Sequence, residues 1–67
     1  MDDAKDLLDQ LCTLAGTIME DASIDAVTIP PSQDDYLAKI ERIELAGLHI
    51  LRLARAAKIV LQRQQSH

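Results

Sequence analysis

The chain has 67 residues, a formal net charge of -4 at pH 7, 48% hydrophobic residues and only 1% aromatic residues. A chain this short buries only about 60% of its unfolded surface on folding, so its own core is marginal. One cysteine cannot form an internal disulfide, and the absence of Phe and Trp, with two Gly and two Pro, argues against an all-β fold. The composition therefore predicts one small all-α domain that gains stability by association.

The first predicted helix spans residues 3–22. Its apolar residues recur in steps of four and three, which places them on one side of a helix. They are Ala4, Leu8, Leu11, Ala15, Ile18 and Ala22. Leu7, Cys12, Leu14 and Met19 flank this stripe, and mainly acidic and threonine side chains occupy the opposite side. The pattern is typical of a helix that is covered on one side only.

A turn is predicted at residues 23–32, where the apolar pattern stops. Two consecutive prolines favour an extended chain here, because a residue that precedes proline avoids the helical region. Ser32 stands three residues before Asp35, the spacing of a capping box in which the hydroxyl and the carboxylate each accept a backbone N–H. The second helix is therefore predicted over residues 33–63.

The second helix carries a heptad stripe of its own, again in alternating steps of four and three, as in packed antiparallel helices. The stripe is Tyr36, Ile40, Ile43, Gly47, Ile50, Ala54, Ala57 and Leu61. Residues 1–35 hold nine acids and one base, whereas residues 36–67 hold two acids and six bases, so an antiparallel arrangement sets opposite charges side by side. These patterns predict a two-helix antiparallel hairpin that forms a single domain over residues 1–67.

Pairing of two hairpins is predicted from the length of the second helix. With the turn centred near residue 28, opposed residue numbers would add to about 56, and residues 54–65 would overhang by roughly 18 Å. Covering such apolar side chains contributes about 1.5 to 3 kcal/mol each, and a homodimeric four-helix bundle is the simplest closed arrangement. We expect the two copies of helix two to cross near Gly47. The predicted oligomer interface comprises Ile43, Gly47, Ile50, Ala54, Ala57, Ile59, Val60 and Leu61.

A second surface is predicted on the outer side of helix two, where basic residues alternate with apolar ones. It consists of Leu45, Leu48, His49, Arg52 and Arg55, together with Ile59. We expect this surface to contact another protein, which favours a protein-interaction or regulatory module. A nucleic-acid-binding helical dimer is the alternative, since no acid follows Glu44, and the size and layout resemble those of Rop-type plasmid RNA-binding dimers. The negative net charge and the lack of an aromatic platform disfavour nucleic acid.

His49 carries a second alternative, histidine phosphotransfer. The segment His49-Ile50-Leu51-Arg52 resembles the His-x-Leu-Lys core of histidine phosphotransfer domains, which are also helical bundles. The resemblance implies that His49 accepts a phosphoryl group and that Arg52, one turn away, stabilises its charge. The family places a small residue after its lysine where this chain has Leu53, and an ordinary surface or interface histidine is the competing interpretation.

No catalytic chemistry is predicted. The sequence has no Gly-rich phosphate loop, nucleophile elbow or metal-ligand spacing, so we expect no enzyme activity, cofactor or metal. Cys12 has no cationic neighbour that would activate its thiol, and we expect it to be a small core residue. The acidic start of the chain does not resemble a signal peptide, charges interrupt the most apolar stretch, and one cysteine suits a reducing compartment. We therefore expect a cytoplasmic protein without a membrane span.

Overall fold

The computed structural model describes residues 3–65, which form two α-helices packed against each other. Helix α1 is Asp3–Val27 and helix α2 is Gln33–Gln65, and residues 28–32 join them. The prediction of an all-α antiparallel hairpin is confirmed. The molecule is elongated, with extents of 55 × 18 × 11 Å, so its second and third dimensions are those of two helices and one helix. Neither helix has a stretch that is apolar and long enough to cross a lipid bilayer, within the residues described.

The apolar stripe predicted for α1 is confirmed. All six of its residues are half-buried, and Asp25 is the one further half-buried position on this helix. The stripe comprises Ala4, Leu8, Leu11, Ala15, Ile18 and Ala22. In a hairpin of two helices, a side chain can be covered only on the side that faces the other helix, so this stripe is the surface of α1 that packs against α2.

Helix α1 continues five residues beyond its predicted end near Ala22, to Val27. The apolar stripe stops at Ala22, yet none of the next five residues is Gly or Pro, so nothing breaks the backbone hydrogen bonding there. The helix ends where Thr28 caps it: the Thr28 hydroxyl donates to the Ile24 carbonyl at 2.8 Å, and the Thr28 N–H donates to the Asp25 carbonyl at 3.3 Å. The prolines that follow prevent further helix.

The register of the hairpin differs from the predicted one. Arg42 pairs with Asp25, and the Lys39 ammonium donates to the Thr28 carbonyl at 3.0 Å, so opposed residue numbers add to 67 at both points. By the same register, the start of α1 lies beside the end of α2. The predicted overhang of residues 54–65 is therefore absent, because α1 is longer than expected and the first turns of α2 run alongside the connecting segment.

The side of α2 that faces α1 also differs from the predicted heptad stripe. Of that stripe, only Ile50 and Ala57 are half-buried, and the other six positions are exposed. The half-buried positions on α2 are Lys39, Ala46, Ile50, Leu53, Ala56, Ala57, Val60 and Gln64. Half-buried Ala46, Leu53 and Val60 each stand one residue before a position of the predicted stripe. The side of α2 that carries Ile43, Gly47 and Ala54 is left open to solvent.

Ser32 precedes the first residue of α2, as predicted. Its hydroxyl donates a hydrogen bond to the Asp35 carboxylate at 2.9 Å, which differs from the expected capping box, in which both side chains accept backbone N–H groups. Asp34 and Asp35 lie in the first turn, where negative charge is favoured by the helix dipole. This local chemistry fixes where α2 begins.

Candidate interaction surfaces

Packing of only two helices leaves the hairpin without a closed core. None of residues 3–65 is fully buried, and large side chains such as Ile40, Ile43, Leu45 and Ile59 are exposed. The helices meet along a single line of half-buried residues and leave a groove on each side of it. One groove is apolar and the other carries basic side chains. Most residues of the predicted oligomer interface lie along the first groove, and the residues predicted to contact a partner lie along the second.

One groove has a volume of about 270 Å³ and is lined almost wholly by apolar groups. Beside the line of contact formed by Leu11, Ala15 and Leu53, the groove is lined by exposed Cys12, Gly16 and Met19 of α1 and by Ile50, Ala54 and Ala57 of α2. The same side of α2 continues at heptad spacing through Ile43, Gly47 and Leu61. We call this surface the apolar face, and it consists of Cys12, Gly16, Met19, Ile43, Gly47, Ile50, Ala54, Ala57 and Leu61.

Two glycines stand on the apolar face, one from each helix. A Cβ atom added to Gly16 or to Gly47 would meet nothing within 4 Å. No turn, positive φ or close approach within the chain therefore requires a glycine at either place. The glycines make the surface flat enough for another backbone to come close.

The predicted oligomer interface falls only in part on the apolar face. Ile43, Gly47, Ala54 and Leu61 are exposed there, and Ile50 and Ala57 lie at its border with the line of contact between the helices. Val60 is half-buried at a position that faces α1, and Ile59 lies on the other side of α2. Cys12, Gly16 and Met19 were not predicted to belong to an interface, although Cys12 and Met19 were predicted to flank the α1 stripe.

The second groove holds the residues predicted to contact a partner. Leu14 of α1 lines it together with His49 and Arg52 of α2, and farther towards the turn His49 and Leu45 line it with Asp21. Arg55 and Ile59 line a shallow depression on the outer side of α2. We call this surface the basic face, and it consists of Leu14, Leu45, Leu48, His49, Arg52, Arg55 and Ile59, all exposed.

One ion pair ties the two helices together near the turn. Arg42 Nε donates to Asp25 Oδ2 at 2.7 Å and Arg42 Nη2 donates to Asp25 Oδ1 at 3.1 Å, the two-pronged geometry that guanidinium and carboxylate favour. The hydrogen bond from Arg42 lowers the pKa of the Asp25 carboxyl below its ordinary value of 3.8, and Lys39 lowers it further. The same hydrogen bond raises the pKa of Arg42. Arg42 is thus already engaged by its own chain.

The cations farther along α2 have no such engagement. Within residues 3–65, the ion pairs are Lys5 with Asp9 and Arg42 with Asp25. Neither of them involves the basic residues of the C-terminal half of α2, which are Arg52, Arg55, Lys58 and Arg63. The opposite charges of the two helices therefore lie side by side, but specific pairing is confined to the end near the turn.

His49 is exposed on the basic face, with Arg52 in the same groove. The juxtaposition that the phosphotransfer resemblance implies is therefore present. The adjoining groove that His49 also lines contains the carboxylate of Asp21, a group that would repel a phosphoryl group on the imidazole. No three His, Cys, Asp or Glu side chains between residues 3 and 65 are grouped so that they could hold a metal ion. Cys12 is a free, exposed thiol rather than the core residue expected.

Comparison of the chain with models of protein families, with curated proteins and with solved structures found no match.

Proposed function

We propose that the chain is a small protein-interaction or regulatory module that acts as a homodimeric helical bundle. In this dimer the apolar faces of two copies pack together as four helices, and the two basic faces point outward. A cytoplasmic location suits a module whose one cysteine is exposed and unpaired. The observation that carries the proposal is the amount of surface that a single chain leaves uncovered.

The surface of one hairpin is too large for a folded monomer of its mass. Its accessible area is 5438 Å², whereas a compact monomer of 7.4 kDa is expected to expose about 4,200 Å². The excess of about 1,200 Å² per chain corresponds to roughly 2,400 Å² for two chains, which falls within the range of obligate homodimers. Burial of that area in an interface on the apolar face would bring the exposed surface of each chain to the value expected of a compact protein of its mass.

The apolar face suits a second copy because bulky and small residues alternate along it. Its residues alternate between bulky ones, such as Ile43, Met19 and Leu61, and small ones, such as Gly47 and Ala54, so bulky side chains of one copy can enter the gaps of the other. A two-fold axis near residues 47–50 would pair the two α2 helices antiparallel. In this arrangement Gly47 of each copy would lie where the two α2 backbones approach each other most closely.

Sedimentation equilibrium of two matched variants tests the proposal. Leu61 lies on the apolar face and is 45% exposed, and Leu45 lies on the basic face and is 52% exposed, so the two leucines are equally accessible in a single chain. We expect wild-type protein to have the mass of a dimer, and Leu61→Asp to weaken the dimer at least about 100-fold because a carboxylate would be buried in each half of the interface. Leu45→Asp should leave the mass unchanged.

The thermal midpoint provides a second readout, because unfolding of a dimer depends on concentration. We expect the midpoint of the wild-type protein to rise as its concentration is raised. A wild-type monomer at micromolar concentration with cooperative, concentration-independent unfolding would refute the proposal. Equal loss of dimer in Leu45→Asp and Leu61→Asp would show that the apolar face is not the interface.

A further inference from the structure

We infer that the basic face binds an acidic amphipathic helix of another protein. The inference rests on the proposed function, because pairing through the apolar face leaves the basic face as the outward surface of the bundle. It names the chemistry of the partner: a helix with leucine-like side chains on one side and carboxylates along the borders of that side.

The charges of the basic face are available for an incoming carboxylate. Arg52 and Arg55 take part in no ion pair within residues 3–65, and no acid follows Glu44 in α2. Asp6 and Asp9 of α1 stand on the side of that helix away from α2, since Leu8 and Leu11 face inward. Asp21 lines the groove beside His49 and Leu45, at the end nearer the turn, and does not line the part that contains Arg52. Partially desolvated contact between these guanidinium groups and acids of a partner would select a partner of negative charge.

The spacing of the basic face matches a helix laid along it. Leu45, Arg52 and Ile59 follow one another at seven-residue intervals, and Leu48 and Arg55 lie one turn after the first two. Leu14 of α1 forms the opposite wall of the groove beside His49 and Arg52. From residue 45 to residue 59 the surface extends about 21 Å, the length of a helix of about 14 residues. Two arginines thus lie between exposed aliphatic groups along about four turns of α2.

Nucleic acid and a further copy of the chain fit this surface less well. Phosphates need cations but not the exposed Leu45, Leu48 and Ile59 between them, and residues 3–65 place no aromatic ring on this face to stack with bases. A further copy would offer the acidic outer side of its α1, where Gln10, Thr13 and Thr17 stand among the acids in place of aliphatic groups that could meet Leu45, Leu48 and Ile59. A protein helix uses both the aliphatic and the cationic groups.

The test uses full-length protein and a fluorescein-labelled synthetic peptide of about 14 residues, with leucines on one side of the helix and glutamates bordering them. A scrambled peptide of the same composition and a short DNA duplex serve as competing probes, and fluorescence anisotropy reports binding. The mass of every variant is measured first by sedimentation. The variants are Arg52→Glu and Leu45→Ala on the basic face, with Lys5→Glu as the control, because it makes the same charge change at a residue of α1 that pairs with Asp9.

We expect the peptide to bind the wild-type dimer and the scrambled peptide to bind at least about tenfold more weakly. Arg52→Glu and Leu45→Ala should each weaken peptide binding by about tenfold, and Lys5→Glu should change it by less than about twofold. An intact dimer that does not bind the peptide refutes the inference and leaves the proposed dimer standing. DNA binding that is tighter than peptide binding and insensitive to Leu45→Ala also refutes it. A monomer that binds the peptide refutes the dimer alone, and a monomer that does not bind it refutes both.

Discussion

Replacement of Gly47 by leucine should separate the stability of one hairpin from the stability of the dimer. A Cβ at this position meets nothing within 4 Å in the single chain, so leucine causes no clash there. Gly is about 0.8 to 1 kcal/mol less favourable than Ala inside a helix, and leucine is close to Ala, so Gly47→Leu should stabilise an isolated hairpin by somewhat less than 1 kcal/mol. The dimer should respond in the opposite direction.

The expected loss in the dimer follows from overpacking. If the two α2 helices cross close to Gly47, each added side chain enters a filled interface and costs about 1 to 3 kcal/mol. Two copies give about 2 to 6 kcal/mol per dimer, and the gain in helix propensity is the same in the free hairpin and in the dimer, so the dissociation constant should rise by about 30-fold to about 20,000-fold. The variant should thus be a monomer, or another oligomer, at concentrations where the wild-type protein is a dimer.

Sedimentation equilibrium and thermal unfolding at two protein concentrations measure both effects. Thr13→Leu is the matched control, since Thr13 is exposed on the side of α1 that faces away from α2, and leucine also raises helix propensity there. The control should keep the wild-type mass. A Gly47→Leu protein with unchanged mass and a raised thermal midpoint would refute a close crossing at this residue, whatever the oligomeric state of the wild type.

Two further predictions concern the ends of the helices. Ser32→Ala should lower the free energy of unfolding by about 0.5 to 1.5 kcal/mol in urea denaturation, because it removes the hydroxyl that donates to Asp35 at the start of α2. An unchanged free energy of unfolding would mean that this hydrogen bond contributes nothing to stability. Because Arg42 lowers the pKa of Asp25 in the folded chain, the stability that this pair contributes is present above the ordinary value of 3.8 and is lost as the pH falls through the lower folded pKa. Arg42→Gln should therefore lose less stability than wild type between pH 5 and pH 2, and identical acid profiles would contradict this.

The surface of α1 that packs against α2 was predictable because only one side of this helix is apolar. Ala4, Leu11 and Ile18 have no competing apolar stripe on the opposite side, so periodicity alone assigns the contact surface. The position of α2 along the chain was also predictable, since the prolines and Ser32 are local signals that do not depend on packing. The packing side of α1 was therefore predictable from its single apolar side, and the start of α2 from its local sequence.

The register was not predictable, because it depends on where α1 ends. The apolar stripe stops at Ala22, but the backbone stays helical until the hydroxyl of Thr28 and the following prolines end it. The half-buried residue between Ser23 and Val27 is the charged Asp25, while Ile24 and Val27 are exposed, so the apolar periodicity gave no sign that the helix continues and the segment was predicted as turn. Each additional residue in α1 shifts the alignment of the two helices, which is why an overhang was expected and none exists.

The side of α2 that contacts α1 was hard to predict because this helix has apolar residues around much of its circumference. Ile50 and Ala57 belong both to the predicted heptad stripe and to the half-buried side, so the apolar periodicity pointed to the apolar face, which borders the side that contacts α1. α1 covers the side of Leu53 and Val60, and the side of Gly47 and Ala54 stays exposed. A helix that carries two adjacent apolar surfaces and covers only one of them within its own chain retains an unburied surface, and hydrophobic burial then favours a second chain over a solitary hairpin.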